Sequence, residues 1–217
     1  MAERRTTPWR GQVHDTEKAL HPYRLRDSVR FMSKRYLPYW ITFGILVATA
    51  LILLWMGRVP MCKCGYIKLL HLETMSSENS QHISDWYTPS HLLHGFIFYF
   101  LLWLVARRID IGWRLTIATV IEAAWEILEN TDAVINRYRE VTIALDYYGD
   151  SVLNSVFDII AMWVGFWLAH RLPVWVSVAI VIIAEVVVMS AIRDGLALNI
   201  IMLLYPLDAI REWQAAG

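Results

Sequence analysis

Residues 38–56 read PYWITFGILVATALILLWM, nineteen positions in a row without a charged side chain. At about 1.5 Å per residue, a helix of this length reaches across the roughly 30 Å hydrocarbon core of a bilayer. The 37 residues before it are polar and basic, with neither the short apolar core nor the small-residue cleavage site of a signal peptide. The run therefore reads as a retained anchor rather than a removed leader.

Four further apolar runs follow, over residues 90–106, 113–130, 151–169 and 174–192, the second of them interrupted by Glu122, Glu126 and Glu129. Residues 196–205, LALNIIMLLY, are too few to cross straight, and Pro206 comes next; an interfacial or re-entrant segment is the preferred reading. The expected architecture is all-α: a polytopic transmembrane helical bundle of about five spans plus that C-terminal helix. Residues 1–37 are expected to form a mobile basic cytoplasmic arm. Residues 38–217 would then form a single transmembrane domain with an outer loop at 57–89. No internal repeats stand out, which argues against the paired halves of many secondary transporters.

Composition agrees. The chain is 57% hydrophobic and 18% charged, against roughly 45–50% and 25% for soluble domains. Only two Cys exclude a disulfide scaffold, and twenty Lys+Arg against twenty Asp+Glu leave no basic field for nucleic acid. Thirteen basic residues fall on the N-terminal side of the expected spans and seven on the other. The N-terminus is therefore expected in the cytoplasm.

With that orientation the unusual polar residues gather on the outer side. The first outer loop carries His71 and the segment SSENSQHISDWYTPSH at residues 76–91, and Thr88-Pro89 predicts a helix start with Thr as cap. His91 and His94 then share one helix face. Glu122, Glu126 and Glu129 fall within about 60° of the next helix, and Asp150, Asn154 and Asp158 recur every four residues along the one after. An ionised carboxylate at mid-bilayer costs about 2.5–3.5 kcal/mol or more, so such groups should converge around a wet cavity. The competing reading is a hydrogen-bonded network that holds three spans together.

Two His one turn apart with several carboxylates suit a divalent ion such as Zn, Mn or Fe. The expected ligands are His91, His94, Glu126 and Asp150, with Asp158 or Glu122 behind them. Asp85, Glu129 and Asn154 would line the same cavity. Catalysis would draw on Glu122, Glu126 and Asp158 as acid and base groups. Ser90 and Ser151 lack the context of a nucleophile elbow, and no phosphate-cradling glycine loop is present. Cys62 and Cys64 read as a local disulfide, with a soft-metal pair or two free thiols as the alternatives. Glu185, inside the last run, predicts an ion pair with Arg193, Arg137 or Arg139.

The segments CKCGYIKL, SSENSQHISDWYTPSHLLHGF, IEAAWEILENTD and TIALDYYGDSVLNSVFDIIAM resemble a proteobacterial family of uncharacterised multi-pass inner-membrane proteins, over about residues 40–213. That resemblance implies a plasma-membrane location and carries no activity. The chain is also faintly similar to the teicoplanin-resistance-associated membrane family, through Asp85 and His91, Glu126, and Asp150, Asn154 and Gly165. The second likeness implies a cell-envelope role, although the Asp85–His91 spacing and His94 depart from its pattern.

The expected function is an envelope protein whose cavity binds a small or lipid-linked ligand, with a divalent metal and at most a metal-dependent membrane hydrolase activity. The alternative is a non-catalytic accessory or assembly subunit of a membrane complex or transporter, in contact with a membrane protein partner.

Overall fold

In the computed structural model the described residues are 14–74, 76–141 and 146–216, with side chains from residue 34 onward. They form eight helices and no strand: α1 (His14–Trp55), α2 (Thr88–Ala106), α3 (Ile111–Glu129), α4 (Asp132–Val141), α5 (Val152–Arg171), α6 (Val174–Ile192), α7 (Leu196–Leu204) and α8 (Asp208–Ala215). The chain divides at Pro38 and Tyr39 into two units, and the second holds the site described below. Of the arm expected over residues 1–37, residues 1–13 lie outside the described part, while 14–37 are the start of α1.

Four helices are long and apolar enough to cross a membrane: Lys34–Trp55 within α1, then α2, α5 and α6. The helix α3 matches α2 and α6 at 19 residues but carries Arg114, Glu122, Glu126 and Glu129, all buried. It packs on α2 and α5. Turning its charged groups inward keeps them off lipid.

Helices α2 and α5 form the closest pair. A Cβ on Gly95 would overlap the Met162 carbonyl oxygen, and a Cβ on Gly165 would overlap that of Leu92, so only glycine lets the two backbones touch. Below this crossing Leu102, Leu115, Ala118, Met162 and Phe166 form an apolar core. Trp163 Nε1 donates to Thr119 Oγ1 at 2.8 Å, and the Thr42 and Thr116 hydroxyls lie 3.0 Å apart, fastening α5 and α1 to α3.

The segment between α1 and α2 is not a free loop. Its Ser80, Val59 and Pro60 carbonyls accept from the N–H groups of Ser151, Val152 and Leu153 at 2.8–3.1 Å. These are the donors that a helix N-terminus leaves without partners, and here the loop satisfies them. Ser151 Oγ accepts from Asn154 N and completes the cap of α5. At α2 the helix begins one residue earlier than a Thr88 cap implies. Tyr87 is the N-cap without a side-chain bond, and Thr88 Oγ1 accepts from Asp85 N at 3.1 Å.

The helix α4 lies between the apolar runs at 113–130 and 151–169. Its apolar side is Ile135 and Val141, both buried, and Asp132 and Arg139 sit at the ends where the helix dipole favours them. Glu185 also differs from expectation. Rather than pairing with an arginine, its Oε1 and Oε2 accept from Ala197 N (2.8 Å) and Leu196 N (3.2 Å), capping α7 from within α6. Arg193 turns away and donates to the Trp213 carbonyl. At nine residues, α7 is about 14 Å long, less than half the hydrocarbon thickness.

Candidate functional site

The sequence-derived site residues meet at the end of the bundle where α2 begins, α3 ends and α5 begins. A cavity of about 460 Å³ opens there. Its wall includes Ser80, Tyr87, Ser90, His91 and His94 on one side, Glu129, Tyr147, Asp150 and Asp158 on another, and Asp194 and Asn199 near α7. Ile97, Phe98, Ile121, Trp125 and Ile200 supply an apolar flank.

Glu122 lies at the base of the cluster with no exposed surface. His91 Nδ1 donates to its Oε1 at 2.8 Å, and His94 Nδ1 donates to its Oε2 at 3.0 Å. An ionised carboxylate only accepts, so both rings carry a proton on Nδ1, and in the neutral imidazole Nε2 is the nitrogen that keeps a lone pair. His91 Nε2 lies 3.9 Å from Asp158 Oδ2 across the α2–α5 interface. The other oxygen of Asp158 is buried and has no hydrogen-bond partner.

Glu126, also fully buried, accepts no hydrogen bond on either oxygen from the described residues; His91 Nδ1 lies 3.3 Å from its Oε1. His91, His94 and Glu122 form one group whose donor atoms are close enough together for an ion, and His91, Glu126 and Glu129 form a second.

Asp150 lies in the same cavity but is engaged differently. Asn130 Nδ2 donates to its Oδ2 at 2.9 Å, the Tyr147 hydroxyl to its Oδ1 at 3.0 Å, and its own N–H donates to Asn130 Oδ1. Burial holds its carboxyl above the ordinary range in spite of these donors. Asp150 thus locks the end of α3 to the start of α5; like Asp158, it is not among the grouped donor atoms, but unlike Asp158 both its oxygens are engaged. Asp85 shapes the approach to α2, accepting from Ser80 N (2.6 Å) and Tyr87 N (2.8 Å). Asn154 donates to the His82 carbonyl at 2.9 Å and fixes the loop on α5.

Asn130, Gln81 and Asp194 were not legible as site residues. Gln81 Nε2 donates to the Gly149 carbonyl at 2.8 Å. Asp194 accepts from Gly195 N, and burial raises its carboxyl to about 6. For Asn130 the usable signal was its place at the end of a periodic run, where an Asn caps a helix.

Cys62 and Cys64 are joined by a disulfide. They lie near Glu78 and His82 in a third group of metal-type side chains. That group is otherwise committed: Lys68 N–H donates to His82 Nδ1, so His82 Nε2 carries the proton and donates to Glu78 Oε2 at 3.0 Å. Bonds from Tyr66, Lys68 and His82 hold the Glu78 carboxyl down at about 2. This is a hydrogen-bonded knot that shapes the loop.

The comparisons with known proteins bear on this whole region. A family described as "Protein of unknown function (DUF2585)" matches residues 53–216. The chain belongs to the DUF2585 family. A UPF0314 protein of Paracoccus denitrificans is 66% identical over 184 residues, 85% of this chain and 95% of its own length. UPF0314 proteins of Rhizobium meliloti and Agrobacterium fabrum are 56% and 49% identical, over 79% and 82% of this chain and 87% and 90% of theirs. No solved structure matches significantly. The stretch matched by the DUF2585 family contains every cavity residue named above, from Ser80 to Ile200.

Proposed function

We propose that this DUF2585 member is a bacterial inner-membrane protein, N-terminus in the cytoplasm, whose cavity holds a divalent metal ion and the polar head of a lipid-linked or other small envelope ligand. The observation that carries the reading is Glu122 taking a hydrogen bond from Nδ1 of both His91 and His94. A carboxylate behind a histidine fixes its tautomer and raises its basicity, the usual arrangement behind a metal-ligating His. His91 and His94 also line the cavity. With Nδ1 committed, each offers Nε2 to an ion there, and Asp158, with one unpartnered buried oxygen, supplies a carboxylate. His-plus-carboxylate sets of this kind suit Zn, Mn or Fe.

The refined ligand set is therefore His91, His94 and Asp158, oriented by Glu122. Glu126 and Glu129 form a second carboxylate pair beside His91, and Asp150 holds the frame. Such an ion, when bound, polarises an ester or phosphoryl oxygen and lowers the pKa of a coordinated water, which is the chemistry of a hydrolase.

The cavity wall supports an amphiphilic ligand. Hydroxyl, carboxyl and carboxamide groups from Ser80, Tyr87, Asp194 and Asn199 face an apolar flank of Ile97, Ile121 and Ile200, which are 37%, 44% and 47% exposed on the helix surfaces. A polar head in the cavity could thus pass its chain sideways into lipid. The likeness to the teicoplanin-resistance-associated family is in keeping with such an envelope role.

Metal analysis of the full chain, purified in detergent without chelator and then reloaded with Zn, Mn or Fe, tests the reading. About one equivalent per chain is expected, lost in His91→Ala and Asp158→Asn while both variants stay folded. A wild type that neither retains nor takes up metal overturns it. The cluster would then be a scaffold, and the accessory-subunit reading would be favoured.

A further inference from the structure

At the opposite end of the bundle, where α2 and α5 end and α3 begins, Arg114 sits one turn into α3. It is only 9% exposed, and its Nε and Nη1 have no hydrogen-bond acceptor among the described residues. It enters none of the ion pairs formed among the described residues. The adjacent acid, Asp110, is occupied in capping α3, accepting from Gly112 N at 2.8 Å. The guanidinium instead lies 5.8 Å from the Tyr99 ring centroid. The Tyr99 hydroxyl lies 3.2 Å from His170 Nδ1, and His170 feels the charges of both Arg114 and Arg171.

A buried cation with no anion beside it is among the least favourable arrangements in a protein, and an aromatic face compensates only part of it. The anion that a planar guanidinium takes best is one offering two oxygens in a plane, a carboxylate or a phosphate. No carboxylate of the described chain is supplied. The site lies about one helical turn from the start of α3, so a long Arg side chain can reach the helix end, where headgroups lie if α3 spans a bilayer. We propose that Arg114 anchors a binding site for a phosphate-type anion at this end of the bundle, with Tyr99 and His170 beside it and Arg171 following His170 in sequence. The site is separate from the metal cavity and does not depend on it. Its phosphate can come from an anionic phospholipid headgroup or from free phosphate.

Native mass spectrometry of the full chain with phosphatidylglycerol or phosphatidylcholine separates the sources, alongside thermal unfolding with and without inorganic phosphate. For a lipid site, wild type retains phosphatidylglycerol about tenfold more than phosphatidylcholine, and Arg114→Gln loses that preference. Arg114→Lys keeps the charge without the fork and is expected to retain only part of it. A double variant, Arg107→Gln with Arg108→Gln, removes exposed charges from the same end and should leave the preference intact. A rise in unfolding temperature with inorganic phosphate, absent in Arg114→Gln and without lipid preference, assigns the site to free phosphate. The proposal is overturned if wild type shows neither response, or if Arg114→Gln responds as wild type does. It is equally overturned if the double variant abolishes the response as fully as Arg114→Gln does. Should Arg114→Gln not fold, an Arg114→Lys protein with undiminished response overturns the site.

Discussion

Gly95 and Gly165 place the backbones of α2 and α5 in direct contact, and this contact is what brings His91 to Asp158. His91 lies four residues before Gly95, and Asp158 lies seven before Gly165, so each is on the same face of its helix as the neighbouring glycine. With the crossing this close, His91 Nε2 comes within 3.9 Å of Asp158 Oδ2. The site thus depends on two residues that carry no chemistry.

Adding a methyl group there should separate the helices. Gly95→Ala or Gly165→Ala would drive a Cβ into backbone oxygen, which cannot swing aside as a side chain can. A loss of about 1–3 kcal/mol is expected for overpacking of this kind. Thermal unfolding in detergent would report it, with Gly44→Ala as the control, since a Cβ at Gly44 meets nothing within 4 Å. Equal stability of all three variants would contradict the close crossing.

Glu122 makes a sharper test of the site. Glu122→Gln keeps shape but exchanges one acceptor oxygen for a donor, so one of the two Nδ1–H groups loses its partner. Metal affinity should fall about 10–100-fold, the usual effect of removing an orienting carboxylate. An independent readout is the ring tautomer: ¹⁵N spectra should show His91 and His94 protonated on Nδ1 in the metal-free wild type. Protonation on Nε2 would refute the arrangement whatever the metal content.

How much of this was legible follows from the kind of signal each part leaves. Helices α2, α5 and α6 announce themselves by length and hydropathy. The helix α3 is legible for the opposite reason, because Glu122, Glu126 and Glu129 break an apolar run at helical spacing. Their convergence with His91, His94 and Asp158 follows from the cost of charge in lipid. Which carboxylate serves which histidine does not, because it depends on helix rotation and crossing depth. Spacing alone therefore puts Asp150 beside the histidines as a ligand, whereas in the fold Asn130 and Tyr147 donate to it. Spacing points Glu185 to an arginine for the same reason: its partners are backbone N–H groups of a helix that folds back, and sequence spacing does not encode that return.

Asp194, just past the end of α6, gives a pH dependence. Burial raises its carboxyl to about 6 from an ordinary 3.8. Above pH 6 the folded chain holds a buried ionised carboxylate at a cost. As pH falls from about 6 to 4 the folded state takes up its proton before the unfolded state does, so stability rises. The gain is fully present near pH 4 and lost again as pH rises through 6. Its size is on the order of 2–3 kcal/mol. Asp194→Asn, which can still accept from Gly195 N, should raise stability at pH 7 and flatten the profile between pH 4 and 7. A variant with the wild-type slope would place the titration elsewhere.

The cap from Glu185 to α7 should govern access to the cavity, because α7 contributes Leu196, Asn199 and Ile200 to its wall. Tyr138 donates to Asn199 Oδ1 at 2.7 Å, so the position of α7 is also felt by α4. Replacing a capping side chain by Ala costs about 0.5–2 kcal/mol, and here two N–H groups are released together. Glu185→Ala should speed amide exchange over residues 196–200 about two- to thirtyfold, in line with that cost. Glu185→Gln, which keeps one acceptor oxygen, should fall between. Exchange elsewhere in α6 should be unchanged, since the carboxylate supports its neighbour and not its own helix. Uniform acceleration across α6 and α7 would mean that Glu185 stabilises the bundle as a whole, and the cap would lose its special role.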